Sequence, residues 1–113
     1  MRLLLSACAL LIAGETSAAQ STVRGVVENA KTDEIRRTFI VGIARGIEAA
    51  NVALGSQQRP LLYCPPPKLE VTPDQWLRIL EVYLDSRPED ANRSVATMNI
   101  VLLWAAAEAF PCH

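Results

Sequence analysis

Residues 63–85 read YCPPPKLEVTPDQWLRILEVYLD, and this stretch decides the fold. Three prolines, Pro65 to Pro67, follow Cys64 and are expected to hold the backbone extended as far as Val71, because proline fixes φ and pushes the residue before it out of the α region. Thr72-Pro73-Asp74-Gln75 then has the order of a helix start. It supplies an N-cap hydroxyl, a proline at N1, an acid in the first turn and a glutamine at N3 for a capping box. Trp76, Ile79, Leu80, Tyr83 and Leu84 recur at helical spacing and form the inward side, with Arg78, Glu81 and Asp85 outside.

Upstream, a short first helix is predicted from about Thr22 to Ala30, weakened by Gly25. Thr32 is the expected N-cap of a long helix, with Asp33 and Glu34 where the helix dipole favours negative charge. Its apolar positions are Ile35, Phe39, Gly42/Ile43, Gly46/Ile47, Ala50 and Leu54, and Gly55 is the expected C-cap. Gly42, Gly46 and Ala50 lie four residues apart. A mid-helix glycine costs about 1 kcal/mol against alanine, so these three are read as helix-packing positions. The approaching neighbour is either in the same chain or in a second copy.

Downstream, Pro88 marks a break. The last helix is predicted from near Asn92, with Val95, Met98, Leu102, Ala105 and Ala109 inward, to a stop at Phe110-Pro111. Between Ile100 and Ala107 it is apolar on almost every face, Val101 and Trp104 falling outside the stripe. A helix apolar all round is buried all round, which predicts self-association. The fold class is all-α, a small bundle of three to five helices with one disulfide.

The first twenty residues, MRLLLSACALLIAGETSAAQ, have a basic start, an apolar run from Leu3 to Gly14 and small residues at Ser17-Ala18-Ala19. This is the anatomy of a secretory signal peptide cleaved after Ala19. Residues 1–19 are therefore read as the signal and 20–113 as a single helical domain. Twelve apolar residues fall short of the roughly 20 that span a bilayer, and no second run is read as reaching that length, so no membrane association is expected after cleavage. Leu5-Ser6-Ala7-Cys8 also matches a bacterial lipobox, but too few apolar residues precede it and the apolar run continues beyond it.

Cleavage would remove Cys8 and leave Cys64 and Cys112. Two cysteines in a small exported domain imply a disulfide, and the pairing is forced. They stand 48 positions apart, and closing such a loop contributes about 4 kcal/mol on the chain-entropy model. That is a large share of a small domain's stability. The competing readings are two free thiols, or a metal held by Cys64, Cys112 and His113, which lacks a fourth ligand.

The net charge of −1 gives no basic footprint for nucleic acid. His113 is the only histidine, neither Ser nor Cys has a base partner in view, and no phosphate loop or metal cluster is present in the sequence. No cofactor and no catalysis are expected. Glu89-Asp90 is read as a solvated turn, and Asn92-Arg93-Ser94 as a glycosylation sequon by pattern only.

One set of residues carries a family resemblance: Cys64-Pro65, Val71-Thr72, Gln75, Tyr83-Leu84, Pro88-Glu89, Ala96 and Glu108-Ala109-Phe110-Pro111-Cys112. In this order they are similar to the Rap/Tai-type immunity proteins, periplasmic partners of type VI secretion amidases. Gly42 and Gly46 fit the glycine-spaced first long helix of that family. The chain departs from the pattern in lacking a second cysteine pair, with Ile40 at the matching helix position, and in having Ile43 where an aromatic is usual. The resemblance implies a helical, periplasmic homodimer that blocks a peptidoglycan amidase by occupying its cleft. Partner contacts are expected from exposed loops: Arg87, Glu89, Asp90 and Arg93 within residues 86–93, and Gln57, Gln58 and Arg59 as a second surface. The rival readings are an acid-stress periplasmic chaperone of the HdeA type and a non-enzymatic envelope structural protein.

Overall fold

A computed structural model describes residues 21–113. The expected signal peptide, its cleavage point and Cys8 lie outside the described residues. Among the described residues five α-helices follow one another: α1 (Val23–Ala30), α2 (Glu34–Ser56), α3 (Pro73–Asp85), the single turn α4 (Pro88–Ala91) and α5 (Met98–Ala109), which a 3₁₀ turn at Val95–Thr97 leads into. Among the described residues there is no strand, only one antiparallel bridge, Thr22 with Ser94. The small all-α fold is as predicted.

Local chemistry explains most boundaries. Thr22 Oγ1 accepts from Gly25 N at 3.0 Å and starts α1, whose Val23, Val26, Val27 and Ala30 are buried at helical spacing. The capping box of α3 is complete: Gln75 N donates to Thr72 Oγ1 at 3.2 Å, and Thr72 N to Gln75 Oε1 at 2.8 Å. Trp76, Leu77, Leu80, Tyr83 and Leu84 are buried, and Ile79 is half-buried. α5 buries Met98, Val101, Leu102, Ala105 and Ala106 against α2 and α3.

Several expectations need correction. The N-cap of α2 is Asp33, whose carboxylate accepts from Ile35 N and Arg36 N. Thr32 instead belongs to the turn that leaves α1, its N–H donating to Asn29 O. Gly55 is not the C-cap. α2 runs one residue further, and Gln58 takes the left-handed conformation at φ 57°. Gln58 N donates to Gly55 O and Arg59 N to Leu54 O, the hydrogen-bond pair of a Schellman motif. The prolines do not stay extended to Val71. Leu69 N donates to Pro66 O around Lys68 at φ 67°, a turn of the type II pattern with Pro67 leading it. The last helix starts at Met98 rather than near Asn92, and Val101 is fully buried while Ala109 is exposed. Trp104 and Ile100 reach the surface, so α5 is not buried all round.

The largest correction concerns α2. Its buried residues are Ile40, Ala44 and Asn51, with Ile43 and Ile47 half-buried beside them. The stripe predicted as core turns mostly outward: Ile35 is 82 % exposed, Phe39 45 %, and Gly42, Gly46 and Ala50 are exposed as well. A Cβ built on Gly42 or Gly46 meets nothing within 4 Å, so no backbone of this chain approaches either glycine. By length and composition α2 also reaches what a membrane span requires, with a window hydropathy of 1.2, although the sequence reading allowed no such second run.

Candidate functional site

The tail and the proline loop meet around the disulfide. Cys64 and Cys112 are bonded, and Cys64 N donates to Phe110 O at 2.8 Å. Tyr63, one residue before the cysteine, is buried with its ring edge-on to Trp76 and 6.3 Å from Phe110. Burial raises the Tyr63 hydroxyl above its ordinary value, and the Glu48 carboxylate adds to this. The crosslink therefore closes over an aromatic cluster contributed by the loop, α3 and the tail.

Beside this cluster lies a surface cleft of about 380 Å³ between α2 and the proline loop. Of its polar lining groups, Asn51, Glu48 and Arg45 hold its walls together. Asn51 Nδ2 donates to Tyr63 O and its Oδ1 accepts from Leu62 N, both at 2.8 Å. Glu48 accepts from Trp76 Nε1 at 2.7 Å and from Arg45 Nη1 at 2.9 Å, while Arg45 also reaches Val71 O. A buried amide or carboxylate is tolerated when its hydrogen bonds are made, and these residues use theirs to clamp the loop.

The turn between α3 and α5 holds the residues expected to touch a partner. Asp90 is buried and accepts from Tyr83 Oη at 2.8 Å and from Arg93 Nε at 2.7 Å. Those two hydrogen bonds, Arg93 first, hold its carboxyl below the ordinary aspartate value of 3.8. Arg87 stacks 4.2 Å over the Tyr83 ring and pairs with Glu108. The Arg93 guanidinium lies 5.4 Å from the centre of the Trp104 ring. Arg87, Asp90 and Arg93 thus join α3, α4 and α5 into one network, and of the Glu89-Asp90 pair, expected as a solvated turn, Asp90 is buried within the helical turn α4. Glu89 is exposed, and no ion pair joins it among the described residues.

Gln57, Gln58 and Arg59 are exposed at the C-terminal end of α2, close to one another. The two expected contact surfaces belong to separate segments, 57–59 and 86–93. Among the described residues no three His, Cys, Asp or Glu side chains converge as metal ligands would. The polar residues that build the cleft walls, Glu48 and Asn51, escaped the sequence reading. Their one signal was position: both fall on the side of α2 that carries Ile40 and Ala44.

The geometry defines a small helical scaffold whose polar clusters brace loops and whose C-terminal segment is covalently clamped. Compared with protein-family models, curated proteins and solved structures, the chain matches none.

Proposed function

We propose that the protein is an exported, non-enzymatic inhibitor that binds a secreted peptidoglycan amidase and blocks its cleft. The observation that carries the reading is what the resemblance residues do in this fold. Cys64 and Cys112 form the clamp, Thr72 and Gln75 form the capping box, Tyr83 anchors Asp90, and Pro88 opens α4. Ile40, at the position where the family pattern has a cysteine, is fully buried. A motif in which Cys64, Cys112, Thr72, Gln75 and Tyr83 hold joints of the same scaffold supports kinship of fold more than chance matches would.

Export fits the same picture. A disulfide that closes the fold is favoured in an oxidising compartment. The Ser21 carbonyl, two residues after Ala19, accepts from Val95 N at 2.6 Å. In the periplasm the inhibitor presents Glu89 from α4 and residues 57–59 at the end of α2, exposed groups available to an enzyme cleft. The test is capture from periplasm followed by an amidase assay with and without the protein. Capture of a cell-wall amidase, with its activity lost at equimolar protein, supports the proposal. Failure to capture or inhibit any cell-wall hydrolase overturns it, and suppression of client aggregation at low pH without such capture assigns the protein to the chaperone class.

A further inference from the structure

α3 carries a cation that the fold leaves without a counter-charge. Arg78 is exposed, and no ion pair joins its guanidinium among the described residues. The carboxylates within helical reach of it are Asp74, one turn before, and Glu81, one turn after. Cations from outside α3 take both. Arg37 on α2 bonds Asp74 at 2.6 Å, and Lys31, at the end of α1, bonds Glu81 at 3.2 Å. These two ion pairs and Arg78 line one surface hollow, so the excess charge there is the positive charge of Arg78.

Arg78 also borders a second hollow, of about 280 Å³, with quite different walls. Leu69 and Val71 come from the proline loop, Gln75 and Ile79 from α3, and Phe110 from the tail that the disulfide clamps. Gln75 already spends its Oε1 on the capping box. The guanidinium is the charged group of this lining, and no carboxylate shares it. Glu70, next to Leu69 in sequence, lines the cleft on the α2 side of the loop instead. Glu108, which shares a third hollow with Arg78, is paired with Arg87.

We infer that the 280 Å³ hollow binds an acyl carboxylate, its chain against Leu69, Val71, Ile79 and Phe110 and its carboxylate on Arg78. Small-molecule sites are mostly apolar with a few placed polar groups, and a guanidinium takes a carboxylate through two parallel hydrogen bonds. A methylene fills close to a water's share of about 30 Å³, so the hollow takes at most nine or ten carbons. A peptide C-terminus carries the same carboxylate, but its amide groups need partners of their own. Beside Arg78 the lining offers one polar side chain, Gln75. An acyl chain has no amide to satisfy. The inference does not depend on the inhibitor reading, and no amidase enters its test.

Sodium decanoate is the probe, titrated into the mature, oxidised protein and followed by heteronuclear NMR. With about 12 non-hydrogen atoms it should bind one per chain at roughly 1 mM or tighter. The signals of Leu69, Ile79 and Phe110 should shift and saturate together. Arg78→Gln should weaken binding about tenfold and keep the helical circular dichroism, while Arg78→Lys, which retains the charge, should keep most of the affinity. Arg59→Gln removes another cation that no ion pair joins, and should change nothing. Acetate, which lacks the chain, and decyltrimethylammonium, which reverses the charge, should leave the three signals in place. Absence of saturation, shifts confined to other residues, or equal affinity in Arg78→Gln would overturn the inference. So would equal binding of decyltrimethylammonium, or tighter binding of an N-acetylated dipeptide ending in leucine, which would assign the hollow to a peptide terminus.

Discussion

α3 and α2 look alike as sequences and differ as structures. Both carry apolar residues at three- and four-residue spacing between recognisable caps, yet α3 buries the side its pattern selects and α2 turns most of its selected side to solvent. In α3 the choice is forced. Trp76, Leu80, Tyr83 and Leu84 are large and lie on one side, whereas Arg78 and Asp85 on the other can only face water. In α2, apolar residues occupy nearly every direction, including Ile35, Phe39, Ile40, Val41, Ile43, Ile47 and Val52. Periodicity then leaves the orientation open, and polar residues with partners elsewhere in the chain decide it. Asn51 and Glu48 face the fold because Leu62, Tyr63 and Trp76 supply their hydrogen bonds.

The sharpest way to break this comparison is to truncate the core on each helix. Trp76→Ala on α3 removes a fully buried ring and its bond to Glu48, and should cost about 4 kcal/mol in urea denaturation. Phe39→Ala on the open side of α2 should change monomer stability by less than about 1 kcal/mol, because its ring is 45 % exposed. Equal losses at the two sites would mean that the α2 orientation is wrong.

Next in size is the polar anchor. Asn51→Ala strands the Leu62 N–H and the Tyr63 carbonyl in a half-buried loop, and should cost about 2 kcal/mol in the same measurement. A value near zero would remove the reason given for the orientation of α2.

Substitutions of the opposite sign sharpen the account further. Gly46→Ala places a methyl group in open space and should raise the monomer's thermal stability by about 1 kcal/mol. Gln58→Gly relieves a left-handed residue at the Schellman position, and should add somewhat less than about 1 kcal/mol.

Acid titration probes the Asp90 network. The folded Asp90 carboxyl lies below its ordinary value, held there by Arg93 and Tyr83. Its contribution is therefore complete above about pH 3.8, the unfolded value, and is lost as pH falls through the lower folded value. Asp90→Asn should flatten the stability profile in that acid range while leaving the profile above pH 5 parallel to that of the parent. An unchanged acid limb would show that Asp90 is not the group responsible.

What could be read from residues alone follows the same division. The all-α class, the capping box at Thr72, the stop at Phe110-Pro111 and the Cys64–Cys112 pair rest on local chemistry or on a pairing with one solution, and each is present. The outward turn of α2 depends on partners beyond the helix, at Leu62, Tyr63 and Trp76, and the burial of Asp90 on a hydroxyl from the previous helix, while nothing in the structure explains glutamine rather than glycine at the left-handed position 58. Asp90 looked solvated because it follows Glu89 in a charged turn, and its anchor, the Tyr83 hydroxyl, comes from the previous helix. The expected contacts at Arg87 and Arg93 were legible as exposed charges, but their engagement with Glu108 and Asp90 was not.

The proposed inhibition of an exported cell-wall amidase is open to one direct titration. The oxidised protein is added in steps to the amidase captured with it, and hydrolysis of peptidoglycan is followed. The account predicts a linear fall to zero activity at one inhibitor chain per enzyme, with Glu89→Arg requiring a clear excess. Undiminished hydrolysis at a tenfold excess of the folded, disulfide-bonded protein would contradict it.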